Sequence, residues 1–483
     1  MAANDEPATR ATRIVATIAR NAEKSGALAA LLEAGVDVVR LNGAHCAAGE
    51  ISRRVALVRR VSRSRRSPTG VLLDLGGPKI RVGAIPGAAL SLLNGRTVEL
   101  FPGAGSPRAP GGVARLAVTY PALLKDIEPG AEIRLDDGRI RLRVKKRTRS
   151  TVVATVEVGG LVKSGAGVNF PNSALSAPAL TAKDRRDLAE GLEAGVDFVG
   201  LSFVRSPAHV AHLRRLLARV APERRPWIVS KIERKEALAA LDELAAVSDV
   251  LMVARGDLGV EIGLANVPRA QREILAAGRR HGVPVIVATQ MLESMIKDPT
   301  PTRAEVSDVA GAVHDGADAV MLSGETAVGA WPVEAVKAMA EIAREAEVPD
   351  AGFVPEDVSR PLAGDFAAVV AHTAARMARD AHAAAMVVYT ESGRTARLVS
   401  KNPLSIPVLA FTSHERVRQK LMLLRDVTSF RVPETRNVEA LIRSGDAVLS
   451  RLPGLAGAVV VEISGTVHAA GATNTVRVRR LPR

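Results

Sequence analysis

Apolar and polar positions along this chain follow two rhythms. Short apolar runs rich in β-branched residues recur at 13–18, 36–41, 71–75, 196–203, 227–232, 250–254, 284–288 and 319–322. Between them lie Ala/Leu-rich stretches whose apolar residues fall at helical spacing. Every run except the third leads into such a stretch, and eight βα units are the count of a TIM (β/α)8 barrel. After Arg81-Val82-Gly83 the rhythm changes to period two, as in Ile140-Arg141-Leu142-Arg143-Val144 and in 151–156, with Gly and Pro between. Alternation with turn signals predicts antiparallel β structure. The pattern thus predicts an α/β fold: a barrel over 1–82 and 179–348, with a small antiparallel β domain inserted at 83–178. The three prolines within 349–365 read as a linker. Beyond it, runs at 385–389, 407–410, 458–462 and 475–478 alternate with helical patterns and predict a smaller α/β domain over 349–483.

A barrel of this kind builds its active site at the C-terminal ends of its strands. Polar residues gather at those ends: Arg40 and Asn42, Asp74 with Arg81 beyond it, Lys231 and Glu233, Arg255-Gly256-Asp257, Thr289-Gln290, and Ser323-Gly324-Glu325-Thr326. Glu233 and Asp257 offer hard oxygen ligands, and Mg²⁺ is commonly held by one or two carboxylates plus substrate phosphates. Lys231 adds a point charge for a phosphate or a developing oxyanion. Arg40 and Arg81 can fork onto phosphate oxygens, and Gly256 lets a backbone N–H approach a ligand. Together these parts suit phosphoryl transfer, in which positioning and electrostatics dominate. Neither a Walker motif nor a kinase Gly-rich loop occurs. Asn42 and Asp74 read equally as ion ligands or as capping residues, and Asp308 as a residue that caps or pairs locally. In the last region, Thr390, Ser392, Gly393, Arg394 and Thr395 follow a strand and open a helix. That arrangement reads as an effector-phosphate site or as an ordinary N-cap with a turn glycine.

Composition narrows the function classes. The 483 residues are 47% hydrophobic, enough for several cores, and no apolar run reaches the ~18 residues that span a membrane. The first ten residues are polar and lack a signal-peptide core. The lone cysteine, Cys46, excludes an internal disulfide framework and fits the cytoplasm. A net charge of +15 raises nucleic-acid binding as a reading. The basic stretches at 53–66, 145–149 and 477–483 lack interleaved aromatics, however, and aromatics are only 2% of the chain. Stacking platforms for nucleic acid are therefore not expected, and the stretches read as solvated faces.

The residues at these strand ends resemble the pyruvate kinase family. The resemblance covers nearly the whole chain and is closest in Lys231-Ile232-Glu233, in Met252 to Glu261, in Ala288 to Met295, in Pro301 to Asp308 and in Met321 to Ala327. Ser392 to Ala396 and Gly471 to Thr475 resemble the family's regulatory domain. The resemblance implies phosphate transfer from phosphoenolpyruvate to ADP with Mg²⁺ or Mn²⁺, and a homotetramer. It implies that Lys231 stabilises the transferring phosphoryl and the enolate, and that Glu233 and Asp257 hold the metal. Gly256, Asp257 and Thr289 would contact phosphoenolpyruvate, with Thr289 on the face where the enolate is protonated. Arg40 would clamp the phosphate, Arg81 and His45 would serve the nucleotide, and the inserted domain would close as a lid.

The N-terminal third departs from the family pattern. Around Asn42 and Asp74, where the family binds K⁺, a ligating serine is Ala44, a second ligand is Leu75 and a glutamate is Lys79. A fixed ammonium at Lys79 can replace the cation's charge, so activity without K⁺ is expected. The lysine before the family's Gly-Val-Asn is Ala166 here, with Lys163 nearby, which bears on nucleotide preference. The alternative reading is a barrel that binds phosphoenolpyruvate or pyruvate with weak or no phosphoryl transfer, as a lyase or a sensor. Retention of Lys231 weighs against it.

Overall fold

The computed structural model describes residues 10–24, 26–63, 68–105, 113–348, 365–402, 404–435, 437–465 and 473–482. The expected linker at 349–365, apart from Asp365, lies outside the described residues, as do Met1 to Thr9 and Gly471-Ala472.

Eight parallel strands close into a barrel. They are β1 (Arg13–Ile18), β2 (Val38–Asn42), β3 (Gly70–Asp74), β4 (Phe198–Leu201), β5 (Trp227–Ile232), β6 (Val250–Ala254), β7 (Val285–Ala288) and β8 (Ala319–Leu322), each paired with its neighbours in sequence and β8 with β1. Helices such as Ala182–Ala194, Val267–Arg280 and Pro332–Ala346 wrap the outside. Period two within each strand sorts the apolar residues. Outward ones such as Ile14, Ala16, Ile228 and Ile232 pack under the helices, whereas inward ones such as Val15, Val38, Leu72, Val229 and Met252 fill the barrel.

The insertion leaves the barrel after β3 and returns at the Ala182–Ala194 helix, whose capping box is built by Thr181 and Asp184. It is a curled six-stranded sheet beside a two-stranded ribbon of Ala89–Leu92 and Gly160–Lys163. Register shifts near Arg141 and Val144 mark bulges that bend the strand. One pair departs from the antiparallel expectation: Thr97–Pro102 runs parallel to Ala114–Val118. Pairing of the insertion begins at Arg81, which bridges Gly167.

The C-terminal domain is a five-stranded sheet with helices. Its strands are β9 (Ala385–Tyr389), β10 (Val408–Thr412), β11 (Val427–Arg431), β12 (Val459–Gly465) and β13 (Thr473–Arg480), in the order β11-β10-β9-β12-β13, with only β13 antiparallel. Its core is continuous with the barrel interior through Trp227, Ala371, Met386 and Val399. Polar contacts fasten the same face. Arg13 donates to the carbonyls of Leu424 (2.8 Å) and Val427, and Arg425 donates to Thr12 Oγ1 (3.0 Å). Lys401 pairs with the buried Asp318 at 2.6 Å. Lys401→Ala would leave that carboxylate buried without its cation, a change that costs about 3 kcal/mol. The expected result is a lower midpoint of urea unfolding followed by circular dichroism. An unchanged midpoint would mean that the pair does not fasten the two domains.

Candidate active site

Strand alternation carries polar side chains into the layer above the apolar plug. Inward Val15, Val38, Leu72 and Val229 are followed two residues on by Thr17, Arg40, Asp74 and Lys231. Asp74 is 2% exposed, and Arg40 donates to its Oδ2 from Nε (2.8 Å) while Nη1 reaches Thr17 Oγ1 (2.9 Å). A Cβ on Gly200 would stand 2.7 Å from Asp74 Oδ1, so β4 needs a glycine there for the carboxylate to fit. Lys231 Nζ lies 2.8 Å from Glu233 Oε1 and 3.4 Å from Asp74 Oδ1, and donates to Ser202 Oγ at 2.8 Å. Ser202 in turn donates to the Leu75 carbonyl at 2.7 Å, and Glu233 Oε2 accepts the Phe203 N–H at 2.7 Å.

The electrostatics follow from burial. Desolvation acts to lower the Lys231 pKa, but Asp74 and Glu233 together outweigh it and the net shift is upward. For Asp74 burial raises the pKa, yet the Lys231 and Arg40 charges prevail and hold it low. Glu233 goes the other way: burial, with the Asp257 charge added, raises its pKa against the pull of Lys231. Glu233 Oε1 and Asp74 Oδ1 are buried and accept no well-aligned hydrogen bond; their contacts with Lys231 are ionic.

A second group stands at β6 and β7. Asp257 lies in the first turn of the helix Arg255–Ile262. The Gly256 N–H donates to Thr289 Oγ1 at 2.8 Å, and that hydroxyl donates to the Ala288 carbonyl at 2.6 Å. Thr289 and Gln290 both have positive φ, 70° and 54°. Two consecutive non-glycine residues in that region store strain that the surroundings must sustain. Arg255 sustains it: Nη2 donates to the carbonyls of Thr289 (2.8 Å) and Gln290 (3.1 Å), while Nη1 pairs with Asp308 at 2.7 Å. Asp308 therefore pairs not with a sequence neighbour but with the arginine behind the Thr289 turn, 53 residues away.

Above the rim, a cleft with about 600 Å³ of open space separates barrel from insertion. Lys79, Asp137, Asn169, Arg205, Arg234 and Asp257 line it. Arg205 donates to the carbonyls of Leu175 and Ala177 (2.6 Å), where the chain leaves the insertion. Arg134 of the insertion donates to the Val260 carbonyl on the helix that carries Asp257. Arg81 Nη1 donates to the Gly165 carbonyl at 2.9 Å. His45 is exposed, and burial together with the Arg81, Lys79, Arg40 and Lys183 charges lowers its pKa. Asn42 Oδ1 accepts the Ala44 N–H at 3.2 Å, a capping contact. Lys79 is exposed and makes no ion pair among the described residues, whereas Asp74 is paired with Arg40 and Lys231.

The C-terminal loop lies apart, at the opposite end of the barrel. Thr390 Oγ1 accepts the Gly393 N–H (3.0 Å), and Ser392 Oγ accepts the Arg394 N–H (3.4 Å). Arg394 pairs with Asp365 at 2.6 Å, and Thr395 hydrogen-bonds Thr473 at 2.6 Å. Each of these groups is engaged within its own domain.

Two residues, Ser202 and Arg205, and one pairing, that of Arg255 with Asp308, carry no signal in the sequence. Ser202 sat inside a run read wholly as strand. Arg205 was one arginine among many, and its carbonyl partners carry no side-chain signal.

A lysine largely shielded from solvent is held charged between two carboxylates beside Arg40, below a cleft that brings Lys79, Arg205 and Arg234 together with Asp257. That is the architecture of a barrel phosphotransferase. The chain matches the family model described as pyruvate kinase, barrel domain, over residues 9–336, and the model of the pyruvate kinase alpha/beta domain over 368–479. It is 38% identical to the pyruvate kinase of Methylorubrum extorquens over 482 residues, covering 98% of each chain. The figure is 38% as well for that of Corynebacterium glutamicum over 478 residues, again with 98% of each covered. A crystal structure of a pyruvate kinase from Cryptosporidium parvum superposes with a TM-score of 0.89 at 30% identity, covering 99% of this chain and 98% of that one. The chain belongs to the pyruvate kinase family.

Proposed function

We propose that this chain transfers the phosphoryl group of phosphoenolpyruvate to ADP, giving pyruvate and ATP, at the rim around Lys231. The observation that carries the reading is Lys231 itself, largely shielded from solvent and kept charged between Asp74 and Glu233 below a cleft that brings together Lys79, Arg205 and Arg234. An ammonium fixed there opposes charge on the migrating phosphoryl and on the enolate left behind, without reorganising water. Arg40, immobilised by Asp74 and Thr17, sets a guanidinium beside it for the phosphate oxygens. Thr289 presents its hydroxyl on the protonation face of the enolate, and Arg81 and His45 stand on the nucleotide side. The insertion closes over the cleft and excludes water.

Glu233 and Asp257 would hold Mg²⁺ or Mn²⁺. Among the described residues no three acidic, His or Cys side chains form a metal cluster, but Mg²⁺ takes one or two carboxylates and completes its shell with water and phosphate. The donor set fits: Glu233 Oε1 is buried with only the Lys231 ammonium against it, and Glu233 and Asp257 repel each other. The cation supplies charge neutralisation on the phosphoryl oxygens when bound. The basic test is pyruvate formation from phosphoenolpyruvate with Mg²⁺ and a series of nucleoside diphosphates. No turnover with any of them would overturn the reading in favour of a non-transferring phosphoenolpyruvate binder.

The reading extends to the monovalent cation, the oligomer and the compartment. Leu75 packs its side chain in the apolar core beneath the barrel helices and so offers no side-chain oxygen to a monovalent cation, and Lys79 places an ammonium near the same region. Activity is therefore expected to be equal in K⁺ and in tetramethylammonium. Lys79→Ala is expected to lose about tenfold in kcat in either salt. Turnover that collapses without K⁺ would sink the Lys79 argument. By family, the chain acts in the cytoplasm as a homotetramer, which sedimentation of the purified protein would test.

A further inference from the structure

At the N-terminal end of the barrel, opposite the site, four aspartates repeat one arrangement. Asp37, Asp197, Asp249 and Asp318 stand immediately before β2, β4, β6 and β8. Each donates its backbone N–H to the carbonyl of one residue at the start of the preceding odd-numbered strand, and accepts that residue's N–H on Oδ2. The partners are Ile14 (3.0 and 2.8 Å), Val71 (2.9 and 2.8 Å), Ile228 (3.2 and 2.9 Å) and Val285 (3.0 and 2.7 Å). The odd strands so anchored carry Thr17, Asp74, Lys231 and the Thr289 turn at or just beyond their other ends.

Three of the four aspartates also give their backbone carbonyl to the following odd strand. Asp37 accepts from the Gly70 N–H (3.1 Å), Asp197 from Trp227 (2.9 Å) and Asp318 from Arg13 (2.8 Å). At Asp249 the equivalent residue is Pro284, which has no N–H. Arg397 of the C-terminal domain fills the gap. Its Nη1 donates to the Asp249 carbonyl at 3.0 Å and lies 3.6 Å from Oδ1. Its guanidinium also covers the ring of Trp227, the first residue of β5, at 5.7 Å from the centroid. Arg214 reaches Asp249 Oδ2 from the barrel side at 3.1 Å, so both faces of that carboxylate are held.

We propose that Arg397 is a positioning residue for phosphoryl transfer: it supplies the hydrogen bond that Pro284 cannot, and so sets β5 and β6, the strands that deliver Lys231, Glu233 and Asp257. The inference rests on those three residues being the reacting set. It makes the C-terminal domain part of the barrel's hydrogen-bonding scheme at the aspartate whose carbonyl lacks a strand partner, as Lys401 does at the Asp318 carboxylate. It also ties the helix Arg394–Ser400, which opens at the Thr390–Thr395 loop, to the strand that bears the lysine.

The test is compensation. Pro284→Ala creates the N–H that the other three positions possess, and should make Arg397 dispensable. Arg397→Ala is expected to lower kcat about tenfold, since small displacements of reacting groups act strongly on rate, and to weaken Mn²⁺ binding read by electron paramagnetic resonance. The double variant, Arg397→Ala with Pro284→Ala, is expected to recover kcat to within about threefold of the parent, and Arg397→Lys to fall between. Should Arg397→Ala alone fail to fold, the double variant and Arg397→Lys carry the comparison. Parental kcat in Arg397→Ala, or a loss that Pro284→Ala leaves uncorrected, would overturn the inference. Glu233→Gln is the control. If it leaves turnover and Mn²⁺ binding intact, the assignment of the reacting set has failed instead.

Discussion

Lys231→Ala is expected to lower kcat by about a thousandfold, the scale of removing a preorganised charge from a developing oxyanion. The same substitution should destabilise the fold. Asp74 and Glu233 are almost fully buried and both face the ammonium, and removing one partner of a buried ionic set costs about 3 kcal/mol or more. Arg40 still neutralises Asp74, so the uncompensated charge falls on Glu233. Burial and the Asp257 charge already raise the Glu233 pKa, and Lys231 is its largest opposing influence. Without Lys231, Glu233 binds a proton in the folded chain at a pH where the unfolded chain has released it. The folded state then holds more protons than the unfolded one, so stability falls as pH rises through the carboxylate range. The deficit against the parent should be smaller at pH 5 than at pH 8, measured by thermal unfolding. An equal deficit at both would mean that Glu233 is not the group left exposed to the loss.

The barrel was legible because its strands are short apolar runs punctuated by helices. The runs at 13–18, 227–232, 250–254 and 319–322 coincide with β1, β5, β6 and β8. The run at 196–203 overshoots β4, because Phe203 is apolar but leaves the strand with φ of 53° to give its N–H to Glu233. Hydrophobicity could not reveal that turn. In the C-terminal domain β11 went unseen, since Thr428 and Ser429 interrupt its apolar pattern and its pairing with β10 is what makes it a strand. The strand ends marked the rim for the same reason that they form it: charged residues that end apolar runs have no other place to point. Pairings across long stretches of sequence, such as Arg255 with Asp308 or Arg397 with Asp249, left no trace at the level of pattern.

Arg255→Ala is expected to lower kcat about a hundredfold while the chain still folds. The argument runs through the backbone. Thr289 and Gln290 are held at positive φ, where each non-glycine residue costs about 1 kcal/mol or more. Their carbonyls are both held by Arg255, and Thr289 Oγ1 is held by the Gly256 N–H from the adjacent residue. Without the guanidinium the turn is free to relax toward ordinary φ, which carries the Thr289 hydroxyl away from Gly256 and from the face where we propose the enolate is protonated. A displacement of about 1 Å is enough for a hundredfold loss. Asp308→Asn tests the same element more gently. It removes the charge partner at 2.7 Å but leaves an amide oxygen for Arg255, so a loss of about tenfold is expected. The discriminating readout is the face of protonation: stereospecifically tritiated phosphoenolpyruvate turned over in D₂O should give pyruvate with a chiral methyl group in the parent and a racemised one in Arg255→Ala, because an enolate released without its proton donor takes its one deuteron from either face. A kcat loss with a methyl group that stays chiral and a raised KM would place Arg255 in phosphoenolpyruvate binding and not in setting the Thr289 turn.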